Sequence, residues 1–326
     1  MITKTLKFIL KSQIKSSKFI PKPGGFTLIE LLVALVLAFL IITPLLGFVL
    51  DVMNTDAQEQ AKANSEQEIQ TALNYISRDL QQAIYIYDQT GITAISSQLR
   101  YPSDTTKIPL LVFWKRELVS NVVPAANSTT VSSTKDDTFV YSLVAYYLIK
   151  DSDATWSNAA RIARWQIKDG VEQVSTGGVT CGTYSKKYVS TVYCPDSGFA
   201  PFNDYFAASD KLEAGMNKWK KSGTYDNNNT ARVLIDYVDQ TTTSPPTATC
   251  PPTTSTNTWS SITPSNSMTG FYVCVDRANT TAQVFIRSNA LARINNNSSQ
   301  INYSDSKKSY FSTASVRVQG RGYLYK

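Results

Sequence analysis

From Phe26 to Leu50 the chain carries one ionisable side chain, Glu30, in 25 positions. A helix of that length rises about 37 Å, enough to cross a hydrocarbon core of roughly 30 Å. An intramembrane carboxylate costs on the order of 3 kcal/mol even on lenient insertion scales, and such charges usually serve a function. A plain hydrophobic anchor has no use for Glu30.

The residues around that carboxylate, Gly25-Phe26-Thr27-Leu28-Ile29-Glu30-Leu31-Leu32-Val33-Ala34, resemble the class III signal of type IV pilins and type II secretion pseudopilins. The resemblance implies that a prepilin peptidase cuts after Gly25, where a side chain would crowd its approach to the backbone, and methylates the new N-terminus at Phe26. It implies an α+β type IV pilin fold: one long N-terminal helix, about 26–88, packed on an antiparallel β-sheet body. It also implies partners, namely other pilins or pseudopilins in a filament and an inner-membrane assembly platform with a separate ATPase. Glu30 becomes an assembly contact that meets the amine of Phe26 on its own or a neighbouring subunit, because a buried carboxylate needs a compensating charge.

The formal charge of +7 invites a nucleic-acid reading until its distribution is considered. Lys4, Lys7, Lys11, Lys15, Lys18 and Lys22 precede the apolar run with no acid among them, and without them 26 basic residues face 25 acidic ones. The remainder is near neutral, so strong phosphate binding is not expected. The lysines instead set topology, holding the N-terminus in the cytoplasm and placing the body outside it, on a single-pass inner-membrane anchor. Their intervals of three and four also fit a basic amphipathic helix on a membrane surface, although residues 1–25 read first as a leader to be discarded.

Beyond the membrane, disulfides can form. Cys181, Cys194, Cys250 and Cys274 allow three connectivities, and pairing of sequence neighbours, Cys181 with Cys194 and Cys250 with Cys274, is favoured. A metal reading is weak, since the chain has no histidine and the intervals are not those of zinc sites.

Within the apolar run, Pro44 cannot donate to the carbonyl of Leu40, and with Gly47 nearby it predicts a kink. Residues 26–50 form the transmembrane or filament-core half of the helix, and 51–90 its amphipathic half. Asn54 to Glu68 are polar almost all round and read as a stalk. Ile69, Leu73, Ile76, Leu80, Ile84 and Tyr87 then recur at three- and four-residue intervals on one face, and Asp88-Gln89-Thr90-Gly91 reads as the stop.

Residues 91–326 form the extracytoplasmic body. Segments rich in Val, Ile, Tyr, Phe and Trp at Ile108–Trp114, Thr138–Ile149, Ala160–Ile167, Ala231–Val238, Phe271–Val275, Gln283–Ile286 and Ser315–Val318 read as strands. Between them, Ser120 to Asp137 (with Asn127-Ser128-Thr129-Thr130) and Thr241 to Ser267 have loop composition, and Ser209 to Lys221 reads as a short surface helix or a loop. Val284 to Arg293 and Ser315 to Gly322 are similar to the closing segments of PilW-type large minor pilins, among them the cyanobacterial pseudopilins of hormogonium polysaccharide secretion.

The absence of histidine excludes Ser-His-Asp and Cys-His chemistry, and no phosphate-binding glycine loop is present. Asp136-Asp137 and Asp151 with Asp153 lack the EF-hand spacing. No cofactor, metal or catalytic residue is expected, and nucleotide hydrolysis falls to a partner. The reading is a minor pilin or pseudopilin, a structural subunit of a type IV pilus-like machine serving surface motility or polysaccharide secretion. Alternatives are a filament-displayed adhesin binding DNA or glycan, a type II protein secretion pseudopilin, and a membrane-tethered enzyme.

Overall fold

The computed structural model describes residues 25–124, 135–173, 177–204, 206–207, 210–322 and 324. The leader ahead of Gly25, the Asn127–Thr130 stretch and Ser209 lie outside the described residues. The chain divides into two compact units, Met1–Thr55 and Asp56–Lys326.

Helix α1 runs unbroken from Leu28 to Gln81. Its residues up to Met53 are exposed, whereas Ala61, Ser65, Ile69, Ala72, Leu73, Ile76, Asp79 and Leu80 are buried. Those positions follow the helical period, so one face of the second half is dedicated to the body. The polar stretch Asn54–Glu68 is therefore not all stalk. Tyr310 Oη donates to Gln58 Oε1 at 2.6 Å, and Arg293 Nε donates to Ser65 Oγ at 2.8 Å.

The helix stops at Gln81, short of the expected end near residue 88. Ala83–Ile86 is instead a strand, β1, paired with Phe113–Lys115. Leu80, Ile84 and Tyr87 satisfy a helical stripe by spacing, but Ile84-Tyr85-Ile86-Tyr87 is a β-branched and aromatic run that fits a pleated surface better. Asp88 marks a start, not a stop: its Oδ1 accepts from Gly91 N at 2.8 Å as the N-cap of α2, Gln89–Ile95.

The strands of the body follow. These are β2 (Lys107–Pro124), β3 (Lys135–Ile149), β4 (Ala160–Lys168), a small hairpin of β5 (Val179–Thr180) and β6 (Lys187–Tyr188), helix α3 (Leu212–Met216), β7 (Arg232–Val238), β8 (Ser260–Ile262), β9 (Phe271–Asp276), β10 (Thr281–Arg287), helix α4 (Leu291–Ile294) and β11 (Thr313–Gln319). They form an antiparallel sheet in the order β1-β2-β3-β4-β7 and a second in the order β11-β10-β9-β8. Each strand segment read from the sequence lies in one of these elements, save Ala231, which precedes β7, while both ends of the expected loop Ser120–Asp137 are strand, Ser120 to Pro124 in β2 and Lys135 to Asp137 in β3. The surface-helix reading at 209–221 shrinks to α3, and Met216 and Trp219 are buried, not exposed.

The first sheet is covered on both faces. Successive strand residues point to opposite sides, so Lys115, Tyr146 and Arg164 meet α1 while Trp114, Tyr147 and Trp165 face away from it. Trp114 packs edge-on against Phe199, Phe202 and Trp219, and Trp165 against Tyr225. Two-sided burial explains why β3 reads as a continuous apolar run from Leu143 to Ile149.

A buried carboxylate joins α1 to three strands. Asp79 accepts from Lys115 Nζ at 2.8 Å, Tyr146 Oη at 2.8 Å and Arg164 Nε at 2.7 Å. Burial pushes its carboxyl up, but the hydrogen bond and charge of Arg164, aided by Lys115, outweigh burial and hold it below the ordinary 3.8. Its stabilising contribution is present above that value and is lost as pH falls through the lower, folded-state pKa.

The chain's end closes the other edge of β1. Arg321 N donates to Gln81 O at 3.0 Å and Gly322 N to Ala83 O at 3.1 Å. A Cβ at Gly320 would lie 2.4 Å from Ala83 O, and one at Gly322 2.0 Å from Ile84 Cγ2, so only glycine permits this approach. The two sheets are tied where Arg287 Nε donates to Asp239 Oδ2 at 2.7 Å, both side chains being buried.

Among the described residues, removing Asp79 takes from Arg164 its carboxylate partner and leaves Lys115 with Glu117 alone. Asp79→Ala is expected to lower the unfolding free energy of the full-length chain in detergent by about 3–5 kcal/mol, read from the urea midpoint. A loss below about 1 kcal/mol would assign the clamp no more weight than a surface pair.

Asp169 behaves oppositely. Burial raises its carboxyl to about 6, so its contribution is full below the unfolded value and is lost as pH rises through about 6. Asp169→Asn is expected to raise the thermal midpoint near about pH 7.5 and to leave it unchanged near about pH 4. An equal shift at both values would contradict this account.

Candidate processing and assembly site

Gly25, Phe26 and Thr27 lie ahead of the helix, and all three are exposed. The first turn begins with Glu30 N and Leu31 N donating to Thr27 O at 3.0 and 3.2 Å, and Glu30 N also donates to Thr27 Oγ1 at 3.3 Å. Thr27 thus caps α1, and Thr27-Leu28-Ile29-Glu30 is the Thr-x-x-Glu pattern of a capping box. The peptide bond between Gly25 and Phe26 stands outside the helix, between two exposed residues.

Among the described residues nothing demands glycine at 25, since an added Cβ would meet none of their atoms within 4 Å. The same holds at Gly47. Glycines 320 and 322 have an intramolecular reason; among the described residues Gly25 has none.

Glu30 occupies the third helical position with its side chain exposed. There it faces the positive end of the helix dipole, which favours an anion in the first turn. A free amine on Phe26 would lie next to the cap, where the dipole disfavours a cation and the Glu30 carboxylate offsets that cost. The arrangement can hold a charge pair in a medium that solvates neither charge.

Downstream, the apolar surface is presented outward. Phe26 is 81 % exposed, and Leu28 to Met53 include no buried side chain. The helix is long and apolar enough to cross a membrane. It continues through Pro44, and Thr43 Oγ1 donates to Phe39 O at 2.8 Å one turn earlier.

The other predicted positions fall in the body. Cys181 and Cys194 are joined with Cα atoms 5.6 Å apart, and Cys250 and Cys274 likewise at 5.6 Å. The second bond pins the Pro-rich loop to the buried strand β9. Asp151 accepts from Arg161 Nη2 at 2.6 Å, and Asp137 Oδ1 accepts from Asn121 N at 2.8 Å, so these carboxylates serve local structure. Among the described residues, no group of three or more potential ligands is placed to hold a metal.

Sequence reading passed over Asp79, although a signal existed: an acid between Ile76 and Leu80 on an otherwise apolar stripe. It also gave Gly320 and Gly322 no role beyond resemblance. No spacing rule identifies their partner, β1, which lies more than two hundred positions earlier in the chain.

The family described as Prokaryotic N-terminal methylation motif matches residues 21–46, which contain Gly25, Phe26, Glu30 and Pro44. No curated protein matches the chain, and no solved structure does.

With both disulfides formed, thiol labelling of the denatured, unreduced protein is expected to find no reactive cysteine. Replacing Cys250 and Cys274 by serine should cost about 2–4 kcal/mol, read from chemical unfolding. Quantitative labelling of two thiols would remove one of the bonds.

Proposed function

We propose that this chain, whose methylation motif supports a type IV prepilin-like protein, is a minor pilin or pseudopilin. It serves as a structural subunit of a filament machine that works in surface motility or polysaccharide secretion. The class III signal implies processing by a prepilin peptidase and assembly with other pilins. The observation that carries the reading is the pairing of an exposed, uncapped Gly25–Phe26 bond with Glu30 in the first helical turn.

Cleavage after Gly25 removes residues 1–25 and frees the Phe26 amine, which is then methylated. Phe26 to Leu50 anchors the chain in the inner membrane, with the N-terminus cytoplasmic and the body outside. On extraction from the bilayer, Glu30 pairs with the Phe26 amine of its own or a neighbouring subunit, because either charge alone would be buried unpaired. Pro44 and Gly47 form the soft point of this half, since Pro44 leaves the Leu40 carbonyl without its helical donor. An inner-membrane platform and a separate ATPase drive assembly.

The assignment as a minor subunit rests on the long connections of the body, 241–259 above all. The narrower reading, a PilW-type subunit near those of polysaccharide secretion, rests on Val284–Arg293 and Ser315–Gly322. In the structure these segments carry Arg287, Arg293, Gly320 and Gly322, which hold the sheets and α1 together.

Expressed with a prepilin peptidase, Gly25→Ala is expected to remain full length on a gel, whereas Glu30→Ala is cut normally but is depleted from sheared filaments by about tenfold or more, the weight of one uncompensated charge. Normal incorporation of Glu30→Ala would remove the pairing role, and normal cutting of Gly25→Ala would remove the processing site. Deletion of the gene, scored for motility and released polysaccharide, separates the two services.

A further inference from the structure

Among the described residues, the body contains a large cleft that the assembly reading does not use. It has a volume of about 1170 Å³ and lies between the second half of α1, strand β7 and the segment around α4. Known small-molecule pockets span about 300–1,000 Å³, so this one has room for several linked rings.

Two aromatic side chains on its walls are open to solvent. Tyr75 on α1 is 46 % exposed, and Trp156, in the connection before β4, is 39 % exposed. Among the described residues, neither the Tyr75 hydroxyl nor the Trp156 indole N–H has a hydrogen-bond partner; Arg164 lies 5.9 Å from the Tyr75 ring centre and Arg161 5.9 Å from that of Trp156, each on one side of its ring. A third ring, Tyr237, borders the cleft at φ 57°, a left-handed conformation that a bulky residue rarely adopts. The outer edge of β7 borders the cleft along Val233 to Tyr237. Strained backbone of this kind is held where the surroundings enforce it, often at binding sites.

The charge of the lining narrows the ligand. Its one cation, Arg293, is already engaged: it pairs with Glu68, donates to Ser65 Oγ at 2.8 Å and lies 4.1 Å from the Tyr237 ring centre. The acids are Glu68 and Asp236. A phosphate or uronate chain would meet carboxylates and no free cation, which disfavours nucleic acid and acidic polymers. An apolar protein segment would need a continuous apolar floor, and here amides such as Gln67 and Asn295 interrupt it.

What remains is a neutral, polyhydroxylated ligand with flat apolar faces. We infer that this cleft binds a segment of neutral polysaccharide, with sugar rings stacking on Tyr75 and Trp156 and hydroxyl groups bonding to the free phenol and indole N–H and to the amides between them. Sugars present axial C–H groups on one face and hydroxyls at the rim, which is the complement of this lining. The inference rests on the body's own residues and not on processing at Gly25.

The test applies the full-length protein in detergent to an immobilised array of neutral and acidic oligosaccharides of up to about six units, the span such a volume accommodates. At least one neutral oligomer is expected to bind, and Trp156→Ala and Tyr75→Ala, both at exposed positions, should each weaken binding by about tenfold or more. Thermal unfolding of both variants at the wild-type midpoint verifies that the fold is intact. A blank array, binding confined to acidic oligomers, or neutral binding untouched by both substitutions overturns the inference. So does loss of filament incorporation in both variants with no glycan bound, which would give the cleft to a neighbouring subunit. Failure of Gly25 processing would leave the array result unaffected.

Discussion

The buried carboxylate of Asp79 determines how the long helix meets the sheet. A carboxylate in a core is tolerable only when its lone pairs are met and its charge is balanced. Here a helix residue takes donors from three adjacent strands at once, through Lys115, Tyr146 and Arg164. The apolar stripe Ile69, Leu73, Ile76 and Leu80 could slide by one helical turn against an apolar sheet face at modest cost. Asp79 could not, because a one-turn slide would separate it from all three donors. Ser65 with Arg293 and Gln58 with Tyr310 repeat this logic further along the helix.

The same economy appears where the chain closes on itself. The end of α1, the start of β1 and the tail at 320–322 share backbone hydrogen bonds, and two glycines make the approach possible. The segment from Arg287 to Arg293 joins the second sheet to the first through Asp239 and then reaches α1 through Ser65 and Glu68. The segments 284–293 and 315–322 are thus structural joints.

The two ends of α1 obey different solvents. Residues 26–53 expose leucine, isoleucine, valine and phenylalanine in an unbroken surface, which is unstable in water and natural in lipid or among like helices. From about residue 58 the helix makes specific polar contacts with the body. One helix can serve both settings because backbone hydrogen bonds are satisfied internally in either. Both disulfides lie in the second part of the chain, within the body.

Taken alone, the sequence determined whatever depends on local pattern. An apolar run of membrane length, an amphipathic stripe as far as Leu80 and short β-rich segments are each written in neighbouring residues, and each corresponds to an element of the structure. Tertiary structure decided what depends on distant partners. Ile84 to Tyr87 fit a helix or a strand by spacing, and the free edge of β2 made them a strand. Asp79 drew no notice in the sequence, and its role appeared only with the three strands that satisfy it. Gly320 and Gly322 had no visible purpose until β1 lay against them, and Tyr75, Trp156 and Tyr237 formed one cleft only once the helix, a loop and an edge strand were brought side by side. The physical reason is the same in each case: periodicity records what a segment can do with its own backbone, whereas burial and charge pairing are settled by residues far away in the chain.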